Sequence, residues 1–233
     1  MPDSTDFERA WLKKFSSCLD ETAGEEAQKK VMQGSESLSS HSSPQEVIQW
    51  SKRAMERLDS LVDEGERRAI MTGCACQYPK SDLHEIRKRY EETGDVGLAH
   101  QMLQEQFESF LRNSLKLSCE LITEIVHRGW GSAGIHQGNR IIATKIPKSG
   151  YLIEYMAETD PERRRQLYCH CPRIRQVLET SETISPTYCY CGAGFYKGIW
   201  EEILQQPVEV EVLESVLKGD DACKIAVTLP SDQ

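Results

Sequence analysis

Six of the nine cysteines in this 233-residue chain occur as three Cys-x-Cys pairs. The pairs lie in the segments GCACQYP, YCHCPR and CYCGAGF, and their members are Cys74, Cys76, Cys169, Cys171, Cys189 and Cys191. Thiolates are ligands for zinc and for iron–sulfur clusters, and they are also nucleophiles and redox groups. The pattern therefore predicts a site whose chemistry depends on sulfur.

The spacing within each pair restricts the backbone that can carry it. Two residues apart on a helix, side chains point about 200° apart around the axis and cannot hold one ion. We therefore expect loops or strand ends, as Gly73, Pro172 and Gly192 beside the pairs also indicate. A disulfide within a pair would close a small strained ring. We predict that the six thiols meet at one metal centre.

The identity of the metal follows from ligand type. Four thiolates at ~2.3 Å form a closed zinc site, whereas iron–sulfur clusters usually use Cys-x-x-Cys spacings. We expect zinc, and an iron–sulfur cluster is the alternative. If no metal binds, the pairs are separate buried or redox-active thiols. Six thiols exceed a four-ligand site by two. One pair then lies outside the site, a thiolate faces a substrate, or the centre is polynuclear. Cys119, in a helical stripe, is expected to be a core residue.

The third pair resembles the opening of the SEC-C zinc motif, in which Cys-x-Cys-Gly-Ser-Gly precedes an aromatic-Lys step. The closing Cys-Cys or Cys-His of that motif is absent here, because the chain continues GIWEE. The resemblance implies a zinc half-site that takes two further ligands from the CHC or the CAC pair. The matching residues are Cys189, Cys191, Gly192, Gly194, Tyr196 and Lys197.

A broader resemblance extends from about residue 60 to the end of the chain. The segments LHEIRKRYEETGD, CHCPR and CYCGAGFYK look like those of an uncharacterised prokaryotic family of cysteine-rich proteins. Gly219, Asp220 and Cys223 resemble the closing hairpin of vinyl-reductase-type ligand-binding domains and of thiazoline-carboxylate hydrolase relatives. This resemblance implies a compact α+β domain that encloses a small molecule near a metal, without supplying a catalytic residue set.

The N-terminal half has helical periodicity. Apolar residues recur at helical spacing over residues 6–19, and a Ser-rich segment, GSESLSSHSSPQ, follows as a flexible linker. We expect residues 1–43 to be peripheral and weakly packed, and residues 44–233 to form a single cysteine-rich domain. Ser43 and Pro44 predict the start of a helical stretch that ends by Gly73. Ser81 or Asp82 is expected to cap another helix, and one continuous helix is expected over residues 96–128.

After Gly129 the periodicity changes. RIIATKI and GYLIEYMAE are predicted to be strands joined by the turn PKSG, and VEVEV and KIAV to be two further strands. Helices are expected from Asp160 and over residues 194–206. The predicted class is α+β, with a helical N-terminal half followed by a mainly antiparallel sheet and a connecting helix.

Composition limits the partners and the compartment. A net charge of −9 argues against nucleic acid and anionic membrane surfaces. No apolar run reaches the ~20 residues that cross a bilayer, and the N-terminus lacks a secretory pattern. We therefore expect a cytoplasmic protein with reduced thiols. A small-molecule ligand is expected among aromatic residues near the pairs, namely Tyr168, Tyr188, Tyr190, Tyr196 and Trp200.

Two classes of function follow. The first is a cysteine-ligated metal-binding domain that binds a small organic molecule and could transform it. One alternative is a non-catalytic module in which zinc holds loops together and the acidic helical half binds a protein partner. The other is an iron–sulfur redox protein. The sequence contains no Ser-His-Asp motif, His-Glu-x-x-His or paired carboxylates at a telling spacing. It therefore specifies no reaction type, and whether the chain is an enzyme stays open.

Overall fold

The computed structural model describes residues 6–230, apart from the side chain of Ser149. This range contains nine α-helices and four β-strands. The helices are α1 (Phe7–Met32), α2 (Pro44–Leu61), α3 (Glu64–Gly73), α4 (Lys80–Thr93), α5 (Val96–Asn113), α6 (Cys119–His127), α7 (Leu152–Ala157), α8 (Pro161–Tyr168) and α9 (Tyr190–Leu204). The strands are β1 (Ile135–Gln137), β2 (Arg140–Thr144), β3 (Glu209–Glu214) and β4 (Lys224–Thr228).

The four strands form one sheet in the order β1-β2-β4-β3, and every neighbouring pair is antiparallel. Central strand β4 buries Ile225, Ala226 and Val227, and α9 packs against it and against β3. Helices occupy the N-terminal half, and the sheet lies entirely in the C-terminal part. The predicted α+β class is therefore confirmed.

The first helix belongs to the main hydrophobic core. Trp11, Phe15 and Leu19 lie on one face of α1 and are buried where that helix packs on α2 and α3. Leu38, within the Ser-rich segment, is buried as well. The structure thus corrects the expectation of weak packing for residues 6–43. The apolar spacing that predicted the helix also supplies a stripe wide enough to join the core.

Local signals set the start of α2 correctly. The Ser43 hydroxyl accepts a hydrogen bond from the Glu46 backbone N–H, and the Glu46 carboxylate accepts one from the Ser43 backbone N–H. Pro44 is the first helical residue, as predicted. The helical stretch then ends with α3 at Gly73, also as predicted. The expected cap of α4 is wrong, because that helix begins at Lys80 and places Ser81 and Asp82 inside its first turn.

The predicted continuous helix over residues 96–128 is two helices, α5 and α6. The helix is interrupted at residues 114–118. Lys116 there has a φ of 56°, and the Ser118 hydroxyl caps α6 by accepting a hydrogen bond from the Leu121 N–H. A capping hydroxyl and a left-handed residue together interrupt an otherwise helical apolar pattern. Cys119 begins α6 and is exposed, so its expected place in the core is wrong.

The predicted strand GYLIEYMAE is helical. Leu152 and Tyr155 of α7 are buried, and the intervening Ile153 is 62% exposed, which is the spacing of a helix face. The fourth strand is instead β1, which pairs with β2. The final hairpin of β3 and β4 and the helix capped by Asp160 are present as predicted. Helix α9 begins at Tyr190, earlier than expected.

Candidate functional site

The second and third cysteine pairs lie at the ends of helices. Cys169 directly follows α8 in an extended conformation, with φ of −62° and ψ of 125°. Cys189 ends a 3₁₀ turn that begins at Pro186, and Cys191 lies in the first turn of α9. An extended pair can direct both sulfurs to one side, whereas a pair at a helix start directs them apart. The two pairs therefore differ in how they present their thiols.

The structure brings both pairs close to the ammonium of Lys145, which directly follows β2. The charges of Cys169, Cys171, Cys189 and Cys191 interact with one another or with this ammonium. Cys223, just before β4, joins them through interactions with Lys145, Cys169 and Cys189. We call these five thiols the Lys145 thiol cluster. A β-carbon on Gly192 would lie 3.1 Å from Lys145 Nζ, so the glycine lets the ammonium approach α9.

Backbone hydrogen bonds hold the cluster together. The Lys145 N–H donates to the Cys223 carbonyl at 2.9 Å, and the Cys223 N–H donates to the Tyr168 hydroxyl at 3.0 Å. That hydroxyl donates in turn to the Lys145 carbonyl. The ends of β2 and α8 and the start of β4 are thereby fixed to one another. The imidazole of His170 forms a hydrogen bond with the Ile146 carbonyl.

Burial and the positive charge of Lys145 have opposite effects on the pKa values of the cluster thiols. Burial raises the pKa of Cys169 to about 12 and that of Cys191 to about 11, and it also raises the pKa values of Cys189 and Cys223. The nearby ammonium acts in the opposite direction on all four. For Lys145 itself, burial lowers the pKa, but the facing thiols, Cys223 foremost, and the Tyr196 phenol more than offset it.

Lys145 forms no ion pair with a carboxylate anywhere in residues 6–230. The groups that could balance its charge are the surrounding thiols, once they are deprotonated. A partly buried cation without a counter-charge is unfavourable. The site is therefore suited to hold negative charge on sulfur.

Within the cluster the two thiols of the third pair have different neighbours. Cys189 interacts with Cys169 and Cys223, whereas Cys191 interacts with Cys171 and with the Trp11 indole. The Cys191 sulfur also lies 3.8 Å from the Cys74 carbonyl oxygen. The helical backbone at Tyr190 explains this division, because it directs the two sulfurs of the CYC pair apart.

The first pair is placed differently. The buried thiol of Cys74 donates to the Ile70 carbonyl at 3.1 Å and interacts with the thiol of Cys18 on α1. That interaction lowers the pKa of Cys18 to about 7 and raises that of Cys74. Cys76 is exposed, and the cluster thiol with which it interacts is Cys191, whose pKa it raises. The three pairs thus do not share one environment. The Cys-x-Cys spacing did not predict that Cys18 would lie beside the first pair, or Lys145 and Cys223 beside the other two.

No three side chains of His, Cys, Asp or Glu between residues 6 and 230 are arranged to hold a metal ion as they stand. The thiols of the cluster interact with one another, yet no three of them form such a group. A metal ion would require some of these side chains to change rotamer. The small size and single χ1 torsion of cysteine make that change feasible.

The aromatic residues expected to line a pocket are core residues. Tyr168, Tyr188, Tyr190, Tyr196 and Trp200 are all buried in the hydrophobic clusters. A groove of about 1050 Å³ lies instead between α3, α9 and β3, and Tyr78 is the aromatic residue in its lining. Gly194 and Gly198 contribute to its lining, and Arg68, Lys80, Lys197, Glu201, Glu202 and Glu209 supply charges. No cysteine belongs to the described lining.

Comparison with known proteins gives one match. Residues 159–233, about a third of the chain, are similar to a family described as a family of unknown function, DUF6144. The matched segment contains the CHC and CYC pairs and Cys223, and it excludes Lys145 and the CAC pair. Neither a curated protein nor a solved structure matches the chain. Among the described helices, none combines the length and the apolar character needed to cross a membrane.

Proposed function

We propose that this chain is a cysteine-ligated zinc-binding protein whose ligands come from the Lys145 thiol cluster. The observation that carries the proposal is the ammonium of Lys145, which faces thiols and has no carboxylate partner in the described range. Four thiolates around Zn²⁺ carry a double negative charge in total. An adjacent ammonium would offset part of that charge and so favour the loaded site.

The ligand set that the charge interactions around Lys145 favour is Cys169, Cys171, Cys189 and Cys223. These four thiols interact with Lys145 and are linked to one another through Cys169. Cys191 is left out of this set, because its sulfur interacts with the Trp11 indole and lies 3.8 Å from the Cys74 carbonyl oxygen. Cys74 and Cys76, which the spacing also predicted as ligands, lie outside this set. Closed tetrahedral thiolate sites of this kind stabilise folds, and binding would join α8, α9 and β4.

The groove supports the second part of the proposal, that the chain binds a small organic molecule. Its volume of about 1050 Å³ is at the upper end of the range for ligand sites. Tyr78 provides an aromatic face, and the charged side chains of the lining are balanced, with Lys197 paired to Glu201 and Lys80 to Glu202. A polar molecule fits that lining. The reduced thiols that zinc needs are consistent with a cytoplasmic location, which belongs to the same proposal.

Metal analysis of protein purified without oxygen tests the zinc centre. We expect one zinc per chain, no visible colour, and Co²⁺ substitution that gives the visible bands of a tetrahedral thiolate site. Broad visible absorption with stoichiometric iron and sulfide would instead identify an iron–sulfur cluster and overturn the zinc proposal. Protein without any metal would overturn both.

Matched variants of the third pair sharpen the ligand assignment. Cys189→Ser is expected to lose most of the zinc, whereas Cys191→Ser is expected to keep it, although the two residues are separated only by Tyr190. Cys119→Ser, at an exposed thiol on α6, is the control for handling and oxidation. If Cys191→Ser loses zinc and Cys189→Ser retains it, the assigned ligand set is wrong.

The groove has a separate test. Gly198 lines it, and a β-carbon at that position would meet nothing within 4 Å, so Gly198→Trp can fill the groove without a clash at its first atom. Thermal-shift screening with polar metabolites should find ligands that stabilise the natural protein and fail to stabilise this variant. Ligands that stabilise both proteins equally would place binding elsewhere.

A further inference from the structure

Cys18 and Cys74 form a thiol pair that the zinc proposal does not use. Cys18 lies on α1, and Cys74 directly follows α3, so the pair joins two helices that are distant in sequence. The Cys18 sulfur lies against the backbone of Gly73, the residue before Cys74, and the two thiols interact. Gly73 permits this approach, because a β-carbon there would lie only 2.5 Å from the Cys18 sulfur.

The two thiols differ in their access to solvent. Cys18 is partly exposed, whereas Cys74 is completely buried. A small oxidant in solution would therefore reach Cys18 first, and Cys74 would be positioned to react with the product. Redox-sensing cysteines commonly combine an accessible thiol with an adjacent resolving thiol.

We propose that Cys18 and Cys74 are a redox modification site that forms a reversible disulfide in response to a hydroperoxide. The Cys18 thiolate attacks the terminal peroxide oxygen, the O–O bond breaks, and Cys18 becomes a sulfenic acid as the alcohol or water leaves. The Cys74 sulfur then attacks the Cys18 sulfur, and the sulfenic hydroxyl leaves with a proton as water. Two thiols are oxidised and one peroxide is reduced, and a low-molecular-weight dithiol reverses the change.

The bond would fix α1 against α3. Helix α1 carries Glu8, which pairs with Arg173, and Trp11, which stacks on Tyr188, so it also contacts the segments beside the thiol cluster. Fixing this helix would reduce its freedom to separate from the core. The disulfide closes a long loop between Cys18 and Cys74, which is the arrangement expected to stabilise most in the chain-entropy model.

The experiment treats zinc-loaded, fully reduced protein with one equivalent of hydrogen peroxide, blocks remaining thiols, and maps disulfides by non-reducing mass spectrometry. We expect peptides containing Cys18 and Cys74 to be linked, and Tm to rise by on the order of 10 °C. Dithiothreitol should reverse both effects. The linkage is read directly on the natural protein, so it does not depend on a variant that folds.

Variants and zinc content complete the test. Cys18→Ser should abolish the linkage and the rise in Tm, and Cys119→Ser should behave as the natural protein does. The proposal is overturned if Cys18 and Cys74 remain separately blocked after the peroxide is consumed, if Cys18 links to another cysteine, or if Cys18→Ser keeps the rise. Zinc measured in the same samples distinguishes this site from the proposed metal centre, because the linkage can form whether or not zinc is bound.

Discussion

The carboxylate of Glu8 and the guanidinium of Arg173 form a buried bidentate ion pair. Arg173 Nε lies 2.9 Å from one carboxylate oxygen, and Nη2 lies 2.6 Å from the other. The guanidinium also donates to the Tyr188 hydroxyl at 2.6 Å and lies 3.8 Å above the Trp11 ring. Helix α1 is thereby attached to the chain on both sides of the candidate site, two residues after Cys171 and one residue before Cys189.

Glu8→Ala should destabilise the protein by about 3 kcal/mol, because it leaves a buried guanidinium without its counter-charge. Urea unfolding monitored by tryptophan fluorescence measures this change. The control is Glu124→Ala, which removes an exposed partner of Arg128 within one helix and should cost less than about 1 kcal/mol. Equal losses for the two variants would contradict the structural role assigned to Glu8.

Two glycines on α9 should respond to alanine with opposite signs. A β-carbon on Gly194 would lie 2.0 Å from the Thr72 carbonyl oxygen, so Gly194→Ala should push α9 away from α3 and destabilise by about 1–3 kcal/mol. Gly198 has nothing within 4 Å of that position, and Gly198→Ala should stabilise the helix by about 0.5–1 kcal/mol. Thermal and urea unfolding of both variants measure these changes in stability. The same sign for both would refute the close packing of α9 on α3.

Lys145→Met should make the cluster thiols less reactive. The ammonium lowers the pKa values of Cys169, Cys189, Cys191 and Cys223, so its removal leaves burial unopposed and reduces the thiolate fraction at a given pH. Alkylation by iodoacetamide, followed by mass spectrometry over a range of pH on metal-free protein, should slow several-fold at these residues. Cys119 in the same sample should be unaffected, and Lys145→Arg should restore much of the rate. An unchanged pH profile at the cluster would rule out this electrostatic role.

Zinc affinity should fall as pH falls. Because burial raises the pKa of Cys169 to about 12 and also raises those of Cys189 and Cys223, these thiols carry protons at neutral pH until metal displaces them. Lower pH increases the competition from protons, by up to about one decade in affinity per pH unit for each proton displaced. Competition with a chromophoric chelator at several pH values measures the slope. Affinity that does not change with pH would mean that zinc binds elsewhere.

Local chemistry in the sequence determined many of the elements. The Ser43-Pro44 and Asp160-Pro161 steps predicted where α2 and α8 begin, because a capping side chain and a fixed φ act within a single turn. Alternation of apolar residues predicted the hairpin of β3 and β4, and the change of periodicity after Gly129 predicted the α+β class. Each of these features depends on residues within a few positions of one another.

Local patterns did not predict the structure where a segment suits both a strand and a helix, or where packing against distant elements determines which residues are buried. The segment around Tyr155 is apolar enough for a strand, yet its packing on Trp130 and Tyr168 favours a helix. Helix α1 looked peripheral because the Ser-rich segment that follows it resembles a linker. Its burial depends on surfaces of α2 and α3, which periodicity within α1 does not describe.

The sequence by itself determined that the chain carries three thiol pairs suited to sulfur chemistry, and only the tertiary structure decided which thiols meet. Cys-x-Cys spacing governs how two sulfurs are directed from one backbone segment, and at α9 it directs Cys189 and Cys191 apart. The contacts of Cys74 with Cys18, and of Cys169 with Cys223, arise between elements far apart in sequence. Burial of the apolar faces of those elements brings the thiols together, since packing of a whole core fixes distances that no local pattern contains.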